Sequence, residues 1–177
     1  MTERTKRVSY TVTPIKYYYV IEAQFLDLVR QNQGIIYKLV ALYANDAEEK
    51  KDLYQEVLLQ AWKGCANFRQ DAKFSTWLYR TCLNTIFTQK RKKHRLDYKD
   101  SLEAISPAVQ NGSVQKEDGV RLQQAIKKLS ETDRAIISMN LDGYENSEIG
   151  EMLGISNNHV SVKLHRIKQQ LANLLTQ

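Results

Sequence analysis

The chain has 177 residues and a formal net charge of +6, from 26 Lys and Arg against 20 Asp and Glu. This length suits one ordinary domain or two small ones, and the surplus of positive charge suggests an anionic partner. No run of about 18 apolar residues is present, so no membrane insertion is expected. Seven Gly and two Pro are too few for a β-sandwich, and the composition predicts a mostly helical protein.

The cysteines and the N-terminus indicate where the protein works. Cys65 and Cys82 form no paired metal-binding motif and suit a reducing cytoplasm. The first ten residues include basic side chains without a following apolar core, so they do not resemble a secretory signal. We therefore expect a cytoplasmic protein with no metal site and no cofactor.

Charge and composition divide the chain into four segments. Residues 1–21 are predicted to be a mobile N-terminal extension, with a β-strand as the alternative. Residues 22–95 carry thirteen basic and eight acidic side chains, whereas residues 96–119 carry two basic and five acidic. The acidic segment also contains Pro, Gly and Ser, which is typical of a flexible linker. With residues 120–177 as a second block, the predicted fold class is all-α: two small helical domains joined by a flexible acidic linker.

Helical spacing of apolar residues predicts three helices in the first block, packed as an antiparallel bundle. The first runs from about Phe25 to Tyr43, with a possible break near Gln33-Gly34. The second includes Leu53 to Trp62. The third is predicted to start at Ser75, whose hydroxyl can cap the free backbone N–H groups of the first turn.

The second helix has a polar face that packing alone does not explain. Its members recur at helical spacing and are Asp52, Gln55, Glu56 and Gln60. Most such stripes are simply solvated, but this one also suits docking on a basic partner surface.

The loop between the second and third helices mixes aromatic, amide and cationic side chains over residues 66–74. Aromatic rings stack on unpaired bases, and amides and Arg read base edges. The alternative is an ordinary loop that tucks Phe68 and Phe74 into the core. Trp77, just beyond it, is predicted to be a core residue.

The third helix continues into the densest positive charge of the chain, at residues 90–95. Its predicted exposed positions are Tyr79, Arg80, Asn84, Thr88 and Gln89. Such a helix can hold phosphates and make binding dependent on salt. The alternative is a basic helix end that favours the helix dipole.

The second block contains a predicted helix-turn-helix. Ser130 to Asp133 has the spacing of a capping box, and Asp142-Gly143 ends the helix that follows. A short helix then turns at Gly154, and Ser156 can cap a final helix that runs to about Leu175. The N-terminal part of that helix would enter the DNA major groove, where its side chains reach base edges and phosphates.

The two blocks together resemble bacterial RNA polymerase sigma factors of the extracytoplasmic function group, in the sigma-70 family. The resemblance rests on Asp52-Leu53-Tyr54-Gln55-Glu56-Val57 with Ala61-Trp62, on Phe74-Ser75-Thr76-Trp77-Leu78-Tyr79-Arg80 with Asn84, and on the helix-turn-helix. It covers about residues 22–175. It implies a transcription initiation factor without a catalytic site, with sigma region 2 over residues 22–95 and region 4 over residues 120–177.

The resemblance also assigns roles to individual residues. Residues expected to bind core RNA polymerase, at the clamp coiled coil of its β′ subunit, are Asp52, Gln55, Glu56 and Gln60. Residues expected to bind and melt the −10 promoter element are Asn67, Phe68, Arg69, Lys73, Arg80, Asn84, Lys90, Arg91, Lys92, Lys93 and Arg95. Residues expected to bind the −35 element are Asn158, His159, Ser161, Val162, Lys163, His165 and Arg166. Further expected partners are the β flap of the polymerase, which region 4 contacts, and an anti-sigma factor.

Two other classes of protein are alternatives to this interpretation. A stand-alone helix-turn-helix regulator would bind its operator without polymerase. An enzyme acting on nucleic acid would need a metal cluster or an activated nucleophile, and the three histidines have no clearly paired carboxylate. The sequence favours the sigma factor and predicts that the protein is not an enzyme.

Overall fold

The computed structural model describes residues 14–66, 68, 72–97 and 117–176, without the side chains of 14–21, 94–97 and 117–118. Every regular element in these ranges is a helix, which confirms the all-α prediction. In chain order they are α1 (Pro14–Tyr43), α2 (Ala47–Cys65), α3 (Phe74–Asp97), α4 (Glu117–Lys127), α5 (Glu131–Leu141), α6 (Asn146–Leu153) and α7 (Asn157–Thr176). None of the described helices is long and apolar enough to cross a membrane.

Helix α1 differs from its prediction in two respects. It begins at Pro14, so residues 14–21 are helical rather than part of a mobile arm or strand, while residues 1–13 lie outside the described residues. It also runs through Gln33-Gly34 without the predicted break. Proline suits the first turn of a helix because its missing N–H would have no partner there. A single Gly costs a helix only about 1 kcal/mol, which packing readily offsets.

Residues 1–33 and 34–177 form two compact units. Within the described part of the first, Asp27 and Arg30 form an exposed ion pair at 3.5 Å. Asn32 Nδ2 donates to the Leu28 carbonyl at 2.8 Å. Both contacts are one helical turn long and support α1 locally.

The core of the first block lies among α1, α2 and α3. The fully buried side chains that fill it from the three helices include Ile36, Leu39, Val57, Leu78 and Ile86. Asp46 caps α2 by accepting from the Glu49 N–H at 2.7 Å, and Glu49 accepts in return from the Asn45 N–H at 2.7 Å. Helix α3 begins at Phe74, so Ser75 lies in its first turn rather than at its cap.

The second block has the predicted helix boundaries. Ser130 caps α5 by accepting from the Asp133 N–H at 3.2 Å. Helix α5 ends at Leu141, and Gly143 follows with a φ of 84°, a conformation that favours glycine. The predicted linker is helical at both edges, since α3 extends to Asp97 and α4 begins at Glu117. Residues 98–116 of that linker lie outside the described residues.

The two blocks contact each other directly within residues 34–177. The Arg134 guanidinium donates to the Leu42 carbonyl at 2.8 Å and lies 4.9 Å from the centre of the Tyr43 ring. The Tyr43 hydroxyl donates to the Glu131 carbonyl at 2.8 Å. Lys38 forms an ion pair with Asp142 across the same interface. The end of α1 therefore packs against α5 through charged and polar groups.

This interface also overturns one prediction about α3. Tyr79 was expected to be exposed, but its side chain is 0% exposed. Tyr144 of the second block meets its ring edge to face at 5.4 Å, and the Lys38 ammonium lies 5.3 Å from the ring centre. Burial raises the pKa of Tyr79 well above its usual range. The prediction was wrong because the covering residue comes from a distant part of the chain.

Candidate nucleic-acid and polymerase interface

The polar face predicted on α2 is a single continuous surface. Asp52 and Gln55 are exposed, and Glu56 and Gln60 are half-buried. The Gln60 amide donates to Glu56 Oε1 at 2.9 Å, which fixes both side chains along the helix. We name these four residues the α2 face. It carries two carboxylates and two amides, so it offers acceptors to a basic partner.

The sequence analysis did not identify an exposed apolar residue that lies beside the α2 face. Leu59 is 45% exposed, and it follows Gln55 by four residues, so it lies beside the α2 face. An exposed leucine framed by polar side chains is typical of the centre of a docking surface. The signal was available, since helical spacing alone separates Leu59 from the buried positions of α2.

The loop before α3 is held by a cluster of aromatic rings. The Phe68 ring lies 5.6 Å from Phe74 and 5.3 Å from Trp77, and Phe74 lies 5.2 Å from Trp77. A Cβ added at Gly64 would lie 3.1 Å from the Trp77 indole, so the end of α2 packs closely on this cluster. Phe74 is buried, and Phe68 and Trp77 are half-buried. The core alternative therefore describes Phe74, while the half-buried Phe68 anchors the loop through its ring contacts and keeps part of its surface exposed.

Three other residues of the loop were predicted to bind DNA. Lys73 is exposed directly before α3. Asn67 and Arg69 lie outside the described residues. The described part of the loop thus contributes one exposed cation and an aromatic anchor.

Helix α3 presents a polar stripe along its middle part. Arg80, Asn84 and Thr88 are exposed at intervals of four residues, and Arg91 continues the stripe at the next interval of three. The Arg91 guanidinium donates to Thr88 Oγ1 at 3.4 Å. We name these four residues the α3 stripe. Four cationic or hydrogen-bonding side chains over about three helical turns suit contact with a nucleic-acid strand.

The remaining residues of the basic run are not equivalent. Lys93 lies on another side of α3, where its ammonium meets Glu49 Oε1 of α2 at 3.5 Å. Lys90 is half-buried and Lys92 is exposed. The side chain of Arg95 lies outside the described residues. Arg91 is thus the described member of the run that continues the stripe.

The helix-turn-helix forms as its glycines predict. Gly154 ends α6 with a φ of 69°, in the left-handed region, and the Ile155 N–H donates back to the Gly150 carbonyl at 3.0 Å. A Cβ added at Gly150 would lie 2.6 Å from the Ile155 carbonyl oxygen. The closest neighbour of Gly150 is therefore the backbone of the turn. Ser156 accepts from the His159 N–H at 3.2 Å, as a helix cap does.

Helix α7 buries one side and exposes the other. Val160, Leu164, Ile167 and Leu171 are buried against the other helices of the second block. The exposed residues among those predicted to bind the −35 element are Asn158, His159, Ser161, Val162, His165 and Arg166. Lys163 differs from them, because its ammonium lies 2.7 Å from Asp133 Oδ1 and only 28% of its side chain is exposed. Sequence reasoning had no signal for this pair, since thirty residues separate its members.

Two family models match the chain. Sigma-70 region 2 matches residues 28–96, and Sigma-70, region 4 matches residues 119–171. The described surfaces fall in these matches: the α2 face and the α3 stripe in the first, the helix-turn-helix in the second. The fold and its surfaces thus define a two-region factor of the sigma-70 type.

Relatives give the same assignment. The ECF RNA polymerase sigma factor SigW of Bacillus subtilis is 32% identical over 166 residues, covering 85% of this chain and 88% of SigW. SigM of Mycobacterium tuberculosis, also an ECF RNA polymerase sigma factor, is 28% identical over 152 residues, with 85% and 76% covered. The chain belongs to the extracytoplasmic function group of RNA polymerase sigma factors. It directs RNA polymerase to promoters, and the stand-alone regulator is not favoured.

A solved structure shares the fold. The sigma factor RpoE of Bartonella quintana, determined in complex with the anti-sigma factor NepR, aligns with a TM-score of 0.70 at 19% identity. The alignment covers 89% of this chain and 97% of RpoE. At that identity the likeness concerns the fold alone.

Proposed function

We propose that the chain performs promoter recognition with three separate surfaces: the α2 face on core polymerase, the loop and α3 stripe on the −10 element, and α7 on the −35 element. The observation that supports this proposal is that α2, α3 and α7 each expose polar side chains on one side. In this proposal sigma region 2 spans residues 22–95, the linker residues 96–119 and region 4 residues 120–177. The linker then connects the two DNA-binding regions while the polymerase holds them apart.

The α2 face is proposed to dock on the clamp coiled coil of the polymerase β′ subunit. Its carboxylates would meet basic groups of the partner, and Leu59 would be covered at the centre of the contact. Charged groups around a covered apolar residue supply orientation and association rate, while the apolar residue supplies affinity.

Reversing charge on the α2 face should weaken polymerase binding. For Asp52→Lys with Glu56→Lys, we expect affinity for purified core polymerase to fall by about a hundredfold, because like charges then face the partner. Unfolding temperature should change little, since Asp52 is exposed and the half-buried Glu56 accepts its hydrogen bond from Gln60 of the same helix. Fluorescence anisotropy of the labelled chain titrated with core polymerase measures the affinity.

Glu151→Lys is the matched control, because Glu151 is an exposed carboxylate on α6, outside the α2 face. It should bind core polymerase as the unchanged chain does. Equal binding by the double variant would refute the docking assignment.

The loop and the α3 stripe are proposed to hold the melted −10 strand. Extruding a base from a duplex costs a few kcal/mol, which stacking and hydrogen bonds in a protein pocket offset. The ring cluster of Phe68, Phe74 and Trp77 supports the loop from below. The α3 stripe then offers two guanidinium groups to phosphates and Asn84 to a base or sugar.

The α3 stripe should dominate the salt dependence of single-strand binding. Arg80→Gln and Arg91→Gln should each make the negative slope of log K against log salt shallower by about 0.7. This is the value for one lost phosphate contact on a single strand. Lys93→Gln should change the slope less, because Glu49 already holds that ammonium. Binding of a labelled non-template −10 oligonucleotide to the sigma–polymerase complex, measured between 50 and 300 mM salt, tests this. Equal slopes for all three variants would contradict the proposal that the α3 stripe contacts the phosphates of the strand.

Helix α7 is proposed to read the −35 duplex in the major groove, with the flap of the β subunit as a further contact of region 4. Val162 is 45% exposed, and an apolar side chain there suits a thymine methyl group. His165 and Arg166 offer hydrogen bonds to bases or phosphates. In vitro transcription with core polymerase over a genomic fragment library would identify both promoter elements, and its failure with an active polymerase would refute the proposal.

An anti-sigma factor is proposed as the regulatory partner, since RpoE was solved in complex with one. A partner that covers the α2 face would prevent polymerase binding.

No catalytic activity is proposed for the chain. Its proposed place of action is the cytoplasm, where it meets the polymerase.

A further inference from the structure

One cation of α7 is withdrawn from the surface that the helix presents. At about 100° per residue, Lys163 lies about 40° from Ile167 and so borders the buried side of the helix. Its ammonium meets Asp133 Oδ1 at 2.7 Å, with 28% of the lysine side chain and 22% of the aspartate side chain exposed. Arg166 and Lys168 of the same helix are exposed, and among the described residues neither has a carboxylate within ion-pair distance.

The aspartate is itself held in place. Its second carboxylate oxygen, Oδ2, accepts from the Ser130 hydroxyl at 2.8 Å, and its N–H donates to the same hydroxyl at 3.2 Å. Burial raises the pKa of the Asp133 carboxyl, but hydrogen bonds from Lys163 and Ser130 outweigh it and hold that pKa below its usual value. Asp133 therefore stays ionised at neutral pH. Both carboxylate oxygens have a partner, so the ion pair has a fixed geometry.

A free lysine on a DNA-binding helix strengthens binding to every sequence equally. A phosphate carries no sequence information, and each phosphate contact adds about 0.9 to the salt slope of duplex binding. Because every duplex gains this contact equally, it leaves the ratio of specific to non-specific affinity unchanged, but it raises the affinity for non-promoter DNA and steepens the salt dependence. A carboxylate that occupies the lysine prevents this contact.

We propose that Asp133 sequesters Lys163 from DNA phosphates and so limits the non-specific affinity of α7 for duplex DNA. This inference rests on the proposed role of α7 in binding the −35 duplex, and it removes Lys163 from the residues that contact DNA. Asp133 acts through Lys163 and touches no DNA itself. It is a positioning residue for the promoter-reading surface.

The test is duplex binding by the full chain without polymerase. The probe is a fluorescein-labelled 30-base-pair duplex of random sequence, and anisotropy gives the affinity between 50 and 300 mM salt. D133N frees the ammonium, so we expect the salt slope to become steeper by about 0.9 and binding at 0.1 M salt to tighten about eightfold. K163Q should leave the slope unchanged, and the double variant D133N/K163Q should return to the slope of the unchanged chain.

This pattern separates sequestration from a general effect of charge. If only net charge mattered, D133N and K163Q would shift affinity by similar amounts in opposite directions, and the proposal would be overturned. A slope lowered by about 0.9 in K163Q would overturn it too, because Lys163 would then already contact a phosphate. An unchanged slope in D133N would equally overturn it.

Three further variants complete the design. D133E keeps a carboxylate within reach of Lys163 and should therefore bind duplex DNA as the unchanged chain does. If the effect of D133N came from a disturbed fold and not from the lost charge, D133E would disturb binding as well. Should D133N fail to fold by circular dichroism, D133S carries the same expectation and the same refutation. R166Q tests whether α7 touches DNA at all: an unchanged slope there refutes the proposed function of α7, whereas a lowered slope with no effect of D133N refutes only the sequestration.

Discussion

Gly150→Ala should destabilise the second block by about 3 kcal/mol, at the upper end of the usual cost of overpacking. In an ordinary helix this substitution would be favourable, because alanine is the better helix former. Here the new Cβ would lie 2.6 Å from the Ile155 carbonyl oxygen and 3.5 Å from the Asn157 backbone nitrogen. These are backbone atoms of the turn, so no side-chain rotation relieves the contact. The start of α7 must move instead.

The measurement is thermal unfolding followed by circular dichroism, with promoter-directed transcription as the functional readout. We expect transcription from promoters that need the −35 element to fall with stability, because α7 is displaced. Gly34→Ala is the matched control, since Gly34 lies inside α1 and a Cβ there would meet no atom within 4 Å. It should raise stability by about 0.5 to 1 kcal/mol. A Gly150→Ala variant as stable as the unchanged chain would rule out the close approach.

Arg134→Met should cost about 3 kcal/mol of stability and loosen the contact between the two blocks. The guanidinium donates to the Leu42 carbonyl at 2.8 Å, to the Lys127 carbonyl at 2.6 Å and to the Leu129 carbonyl at 3.2 Å. It therefore joins the end of α1 to the end of α4 while lying over the Tyr43 ring. Hydrogen bonds from a charged donor contribute about 1.5 to 3 kcal/mol each, and removing the donor leaves partly buried carbonyls unpaired.

Arg134→Lys should recover less than half of that loss, because a single ammonium cannot reproduce the planar fork of the guanidinium. Arg121→Met is the control, since Arg121 is exposed on α4 and a surface change of this kind stays within about 0.5 kcal/mol. Unfolding temperatures rank the variants, and small-angle scattering should show a larger radius of gyration for Arg134→Met only. If Arg134→Met scatters and unfolds as the unchanged chain does, the bridging role is wrong.

Local features of this fold were accessible from the sequence. Ser130 and Ser156 were predicted as caps, and both accept the expected backbone N–H. The turns at Gly143 and Gly154 lie where glycine predicted them, each with a positive φ. Such features depend on groups three or four residues apart, so a single sequence contains both partners. The α2 face and most of the α3 stripe were likewise visible as helical spacing.

The candidate site was predicted less completely, and the failures share a cause. Tyr79 was expected on the exposed side of α3, but Tyr144 of the second block covers it. The Phe68 ring packs on Phe74 and Trp77, a contact that the sequence pattern left as one of two alternatives. Helical spacing identifies which residues share a face, whereas it does not identify what packs against that face.

Short-range patterns in the sequence therefore predict the class of the protein, its all-α fold, its caps and turns, and the polar faces of α2, α3 and α7. These are set by short-range hydrogen bonds and by helical periodicity. Only the tertiary structure decided how the charges within those faces are used. Lys163 is occupied by Asp133, Lys93 by Glu49, and Arg134 joins the two blocks through the Leu42 carbonyl. Those partners lie 30 to 92 residues apart, and only the folded chain brings them within hydrogen-bond distance.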